Sequence, residues 1–284
     1  MPDGRQLAYT EWGVADGRPV MFFHGTPGCR LWCPDDEATG AAGVRLIAPD
    51  RPGVGGSDVL QRRTVADWPK DVVALADALE LSTFGVIGVS GGGTSAAACA
   101  ALIPERLSGA ALVVSSGPTM YNWAERPGAE DEWSPGDRAE YDLAQTDPAA
   151  AARLAGEHLA AEAEPWEEFI ALIQKELEAA EGDRWFYTDP SRVAVFEAQF
   201  VEWKRQGWDA LGWELIKVYL PWGFRLADIS IPVSIWHGAQ DPWTSQEEID
   251  WQASTIPNST VTVWDDGGHL GFVKHWGEIL EAVA

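Results

Sequence analysis

The sequence predicts an α/β fold: a mostly parallel sheet with helices on both faces, interrupted by an inserted all-helical cap. Three observations predict it. Short apolar runs suited to strands alternate with helical patterns near both ends of the 284-residue chain, and such alternation reads as parallel strands joined by crossover helices. One run, residues 84–89, turns at once into Ser90-Gly91-Gly92-Gly93 and then an Ala-rich stretch. Across residues 119–224 the strand pattern lapses and only helical patterns remain.

Residues 6–13 alternate enough for a half-buried strand, with Asp3-Gly4 as the turn before it. The chain starts so close to this turn that a strand pairing upstream has no residues to build it. Residues 19–23 form the next strand, ending in His24-Gly25-Thr26-Pro27-Gly28. Residues 44–48 form another, closed by Asp50-Arg51-Pro52-Gly53. Thr64 suits the N-cap of a helix over 65–79, where Val65, Val72, Val73, Ala76 and Leu79 share one face. The run 84–89 is apolar on both faces, as a central parallel strand requires. Residues 95–102 read as a small-residue helix, and 110–115 as a further strand.

Helical patterns then run over 148–163, 166–180, 193–206 and 208–219. The segment 119–224 carries 22 acidic and 9 basic residues, a net of −13, and eight of the chain's 16 tryptophans. That composition marks it as a unit apart from the flanking strands. The chain therefore divides into a core of 1–118 and 225–284 and a cap of 119–224. Strands resume at 233–236, ending in His237-Gly238-Ala239-Gln240-Asp241, and at 260–264, ending in Asp265-Asp266-Gly267-Gly268-His269. Residues 276–283 close the chain as an amphipathic helix.

Composition narrows the function. The net charge of −24 repels nucleic acid and anionic membranes, so neither is an expected partner and a small molecule is. No run of 18 apolar residues exists to span a bilayer. No basic, then apolar, leader follows Met1, so a cytoplasmic location is expected. Cys29 and Cys33 share a loop without a second Cys or His pair, which argues against zinc, and Cys99 reads as a small buried residue. With no metal cluster, phosphate loop or dinucleotide fingerprint in the sequence, no cofactor is expected.

The chemistry centres on Gly88-Val89-Ser90-Gly91-Gly92. It fits G-x-S-x-G, a strand turning sharply into a helix with serine at the apex. Such a turn is strained, so the positions two before and two after the serine must lack bulk. The helix N-terminus beneath the hydroxyl offers free N–H groups to an oxyanion. A serine hydroxyl needs a base in hydrogen-bond reach, and the base an orienting acid. His269 is the candidate base and Asp241 the candidate acid, each just past a strand. Asp265 and Asp266 are alternative acids, close to His269 along its own loop. His24 reads as a backbone-shaping residue, His158 as solvated, His237 as packed and His275 as a surface or helix-start residue. The backbone N–H groups of Gly91 and Thr26 are the candidate oxyanion donors, because Pro27 has none.

These five stretches, His24 to Gly28, Asp50 to Gly53, Gly88 to Gly92, His237 to Asp241 and Gly268-His269, resemble the α/β-hydrolase superfamily. The similarity is to its branch with a helical cap inserted after the sixth strand of the usual eight, and it covers nearly the whole chain. The resemblance implies a Ser90…Asp241…His269 triad in the family's chain order. Another acid position of the family reads Ser115-Ser116-Gly117-Pro118 here, without a carboxylate, which favours Asp241. Two departures stand out: Thr26-Pro27 replaces the further glycines many lipases carry, and the first strand of the eight has no counterpart. Serine at the elbow argues against dehalogenase and epoxide hydrolase chemistry, which use aspartate there.

The implied activity is a serine hydrolase of small carboxylic esters acting through an acyl-enzyme. A proline-iminopeptidase-like aminopeptidase, with cap carboxylates on the substrate amine, is the alternative enzyme. Carbon–carbon bond hydrolysis and cofactor-free perhydrolysis share the triad. A non-catalytic binding protein would show a broken triad or a blocked oxyanion loop, and the sequence has neither. The cap tryptophans Trp123, Trp203, Trp208, Trp213 and Trp222 read mainly as packing, with an apolar acyl or alcohol pocket under the cap as their functional reading.

Overall fold

The computed structural model describes residues 1–115, 134–165, 168–169, 171–172, 175 and 181–284. Its sheet has seven strands: β1 (Tyr9–Gly13), β2 (Arg18–Phe23), β3 (Val44–Pro49), β4 (Phe84–Val89), β5 (Leu107–Val113), β6 (Val233–Gly238) and β7 (Ser259–Trp264). Their spatial order is β1-β3-β2-β4-β5-β6-β7. β1 lies antiparallel to β3 at one edge, and every other pairing is parallel.

Period-two alternation explains why the sheet buries both faces. On β2, Met21 and Phe23 enter one hydrophobic cluster while Val20 and Phe22 enter the opposite one. The same split separates Val86 from Ile87 on β4 and Leu112 from Val113 on β5. The first face is covered by α2 (Trp68–Ala78) and α3 (Gly93–Leu102), with Trp68 edge-on to Phe23 at 5.4 Å. The second is covered by α1 (Asp36–Ala41) and the C-terminal helix Trp276–Val283, with Trp276 edge-on to Phe22 at 5.5 Å. Each such fully buried side chain contributes on the order of 1.5–3 kcal/mol.

Among the described residues between β5 and β6 the regular elements are helical, and they include α4 (Pro135–Thr146), α5 (Pro148–Ala163), α6 (Arg184–Tyr187), α7 (Pro190–Trp203) and α8 (Trp208–Ile216). Asp147 caps α5 and Asp189 caps α7 through their side chains, each just before a proline that fits a helix's first turn. Most of the helix expected over 166–180, together with Trp123, Ser116-Gly117-Pro118 and the expected cap boundary at 118–119, lies outside the described residues.

Several boundaries differ from expectation for local reasons. Residues 6–8 are not in the β1 ladder. They pair instead with the loop after β3, Gln6 N–H donating to Asp58 and Ala8 N–H to Ser57 Oγ at 2.9 Å. The helix expected from Val65 starts as a 3-10 turn, Val65–Asp67, capped by a Thr64–Asp67 capping box, and becomes α-helical at Trp68. Four helices went unread: α1, then α4 and α6 of the inserted segment, and α9 (Gln246–Thr255) between β6 and β7, which the C-terminal helix, α10, follows. Among the described residues no helix is long and apolar enough to cross a membrane.

Candidate active site

The elbow is built by backbone proximity. β4 ends at Val89, and Ser90 takes φ 52°, a left-handed conformation unusual for a non-glycine residue, before a 3-10 turn leads into α3. A Cβ at Gly88 would run into the Gly92 carbonyl, and one at Gly92 into the Phe23 carbonyl. Both neighbours are main chain, so both positions need glycine. The loop after β2 packs straight onto the serine: a Cβ at Gly25 would lie 3.2 Å from Ser90 Cβ and 3.8 Å from its Oγ. A Cβ at Gly91 would lie 3.0 Å from Thr26 Oγ1 and 3.7 Å from Thr26 N. Thr26 and Gly91 thus face each other beside Ser90.

His269 and Asp241 meet across the loops that follow β7 and β6. His269 Nδ1 and Asp241 Oδ2 are 2.8 Å apart, and both side chains are buried. Asp241 Oδ1 accepts the backbone N–H groups of Trp243 at 2.9 Å and Thr244 at 3.1 Å. These bonds fix the carboxylate and satisfy its second oxygen. Asp265 and Asp266 are exposed. With Nδ1 engaged, His269 Nε2 is the ring nitrogen left for other partners.

Ser90, His269, Thr26 and Gly91 all line one cavity of about 570 Å³ between the sheet's strand ends and the inserted helices. Its apolar wall includes Phe186, Phe196, Leu215, Val218 and Phe272. Among the described residues, the tryptophans that reach it are Trp32 and Trp243, both from loops following strands. Trp203, Trp208, Trp213 and Trp222 do not line it. Trp203 and Trp208 instead pack with Phe200. The expected packing role fits these residues, and the pocket role does not.

The remaining histidines differ in role. His24 is buried, its Nδ1 2.8 Å from the Gly25 carbonyl and its Nε2 accepting the Arg51 N–H. Burial first, and then the Arg51 charge, push it well below the ordinary histidine value, so it is neutral scaffold. His237 is buried, and desolvation lowers its pKa. His158 is exposed beside Glu140 at 2.7 Å, and His275 stacks on Trp264 at the start of α10.

Two features of the site escaped the sequence. Asp183, buried at the start of α6, accepts the Leu270 N–H at 2.9 Å and so holds the loop bearing His269. Desolvation raises its pKa. Behind the loop after β2, Arg51 donates to the carbonyls of His24 and Gly25 and to Thr26 Oγ1. Its Nε binds Glu214 of α8 at 2.6 Å. Glu214 also receives Arg63 and, at 2.8 Å, Lys217. Arg51 sits in the Asp50-Arg51-Pro52-Gly53 stretch already singled out, but its partner lies 163 residues away. Among the described residues no group of three His, Cys, Asp or Glu side chains could hold a metal ion.

Comparison with known proteins bears on the fold. Residues 18–275 match the family profile described as alpha/beta hydrolase fold. The chain belongs to the α/β-hydrolase family. Among curated relatives it is 40% identical over 123 residues to a non-heme chloroperoxidase of Streptomyces lividans, a match spanning 42% of this chain and 44% of that protein. It is 33% identical over 119 residues to a haloalkane dehalogenase of Psychrobacter cryohalolentis, spanning 40% and 38%. The chain thus matches less than half the length of these relatives. Solved structures share the fold: a bromoperoxidase from Bacillus anthracis has a TM-score of 0.70 at 23% identity, covering 98% of this chain and 94% of that one. An esterase from Exiguobacterium antarcticum has a TM-score of 0.65 at 20% identity, covering 98% and 94%.

Proposed function

We propose that this α/β-hydrolase is a serine hydrolase of small carboxylic esters working through an acyl-enzyme, with residues 119–224 as its cap. Ser90 Oγ attacks the ester carbonyl while His269 Nε2 takes its proton. Asp241 holds the tautomer that presents Nε2 and stabilises the imidazolium. The N–H groups of Gly91 and Thr26 receive the oxyanion. The alcohol leaves with the proton from His269, and water then repeats the sequence on the acyl-enzyme.

The single observation that carries this reading is the 2.8 Å bond between His269 and a doubly anchored Asp241, on the cavity that Ser90 also lines. The aminopeptidase alternative requires a free carboxylate on the substrate amine. Glu214, the buried carboxylate lining the cavity, is shared among three cations, and Glu162 stands exposed at its mouth. The chloroperoxidase named among the relatives favours a second reading, in which hydrogen peroxide replaces water on the same acyl-enzyme.

A fluorophosphonate probe tests the first step. The expected result is labelling at Ser90, abolished in Ser90→Ala, with turnover of short p-nitrophenyl esters. No labelling of the parent would sink the reading. Turnover of prolyl anilides alone would favour the aminopeptidase, and peracid formation from peroxide plus a carboxylic acid would favour the second reading.

A further inference from the structure

In the ion cluster behind the loop after β2, Lys217 shares its carboxylate with two guanidiniums. Glu214 is fully buried, and the three cations around it, Arg51, Arg63 and Lys217, are each at most 4% exposed. Arg51 Nε and Arg63 Nη2 take one carboxylate oxygen each. Further carboxylates act on these guanidiniums, Asp50 on Arg51 and Asp71 with Asp67 on Arg63, whereas the charges acting on Lys217 beyond Glu214 are the positive Arg51 and Arg63. Lys217 adds a third positive group, donating from Nζ to the Glu214 carbonyl and to its Oε1, both at 2.8 Å.

An ammonium has three N–H donors, so one remains beyond those two bonds. Lys217 and Glu214 line the same cavity as Ser90. Burial, then the neighbouring Arg51 and Arg63, push the Lys217 ammonium well below its ordinary value. A buried cation surplus of this kind is unfavourable unless an anion completes it.

We propose that the cavity's inner end is a carboxylate subsite, and that the substrate is an ester whose acyl part ends in a free carboxylate held by Lys217. This rests on the serine-hydrolase reading of the same cavity. A single ammonium beside the apolar wall of Phe186, Phe196, Leu215 and Val218 suits a single negative charge better than a phosphate dianion. The acyl chain runs from the carbonyl at Ser90 along the apolar wall to Lys217. The molecule's overall charge of −24 and Glu162 at the mouth repel anions. A preference for an anionic ester therefore has to arise from the local cations.

The test compares the p-nitrophenyl half-ester of glutaric acid with its neutral terminal-amide isostere. In the parent, kcat/KM is expected to favour the half-ester by about tenfold or more, the scale of one charge-assisted hydrogen bond. Lys217→Met is expected to collapse that ratio, and Lys217→Arg to restore part of it. A structural role for Lys217 would lower both substrates together and leave the ratio intact, which overturns the proposal. Equal turnover of the pair by the parent overturns it as well. Glutarate should also inhibit neutral-ester turnover competitively where glutaramide does not, a readout needing no variant. If Ser90 is labelled by fluorophosphonate and neutral esters turn over without charge preference, the subsite fails and the hydrolase stands. If neither occurs, both fail.

Discussion

At the residue scale, two substitutions separate chemistry from architecture. Asp241 accepts the Trp243 and Thr244 N–H groups on one oxygen and His269 on the other. Asp241→Asn keeps the shape but puts an amide where the imidazole N–H needs an acceptor, favouring the wrong tautomer. The expected outcome is a fall of about 10⁴-fold in kcat on a short p-nitrophenyl ester, with thermal stability little changed. A kcat within tenfold of the parent would remove Asp241 from the mechanism. Gly92→Ala acts through space instead. The added methyl meets the Phe23 and His24 carbonyls, which belong to β2 and its loop and cannot rotate away as a side chain would. A loss of about 1–3 kcal/mol in chemical unfolding is expected, with Ser90 labelling falling in parallel because the elbow must shift.

At the element scale, the readable parts of the sequence were those whose cause is local. The buried runs of β2 and β4, the small residue at Gly88 and the Thr64 cap each rest on neighbouring residues, and each lies where the sequence indicated. The helix α9 was equally local and still unread: Ser245 and Glu248 form a capping box that stands in the sequence as S-x-x-E. Partnerships between distant residues left no such trace. Asp183 on the His269 loop, and Arg51 with Glu214, join segments 87 and 163 residues apart, and neither pattern nor propensity registers such a meeting. The element scale also carries a test of the C-terminal helix. A Cβ at Gly277, in the first turn of α10, would meet nothing within 4 Å. Gly277→Ala should therefore stabilise the protein by about 0.5–1 kcal/mol through lost unfolded-state freedom. A lowered melting temperature would show that the turn needs glycine for a reason other than space.

At the scale of the whole molecule, the inserted helices are joined to the sheet by the same ion cluster that backs the loop after β2. Stability and function pull in opposite directions there. Glu214→Gln leaves three buried cations without their carboxylate, so a loss of about 3–5 kcal/mol is expected. Lys217→Met removes one of the three surplus-bearing charges and leaves Arg51 and Arg63 on Glu214. It should melt no lower than the parent at neutral pH, even as it loses discrimination between charged and neutral esters. The pH dependence gives the sign independently. The folded chain gives up the Lys217 proton at lower pH than the ordinary lysine value of 10.5 that the unfolded chain approaches. Between those two values the unfolded chain binds more protons, so the Lys217 contribution to unfolding free energy climbs as pH rises toward 10.5 and is lost as pH falls through the depressed value. In Lys217→Met that climb is absent. Urea unfolding of both proteins across the alkaline range should show the parent gaining on the variant as pH rises. A constant difference would mean that Lys217 is not held against its charge, and the reason for expecting an anion beside it would go.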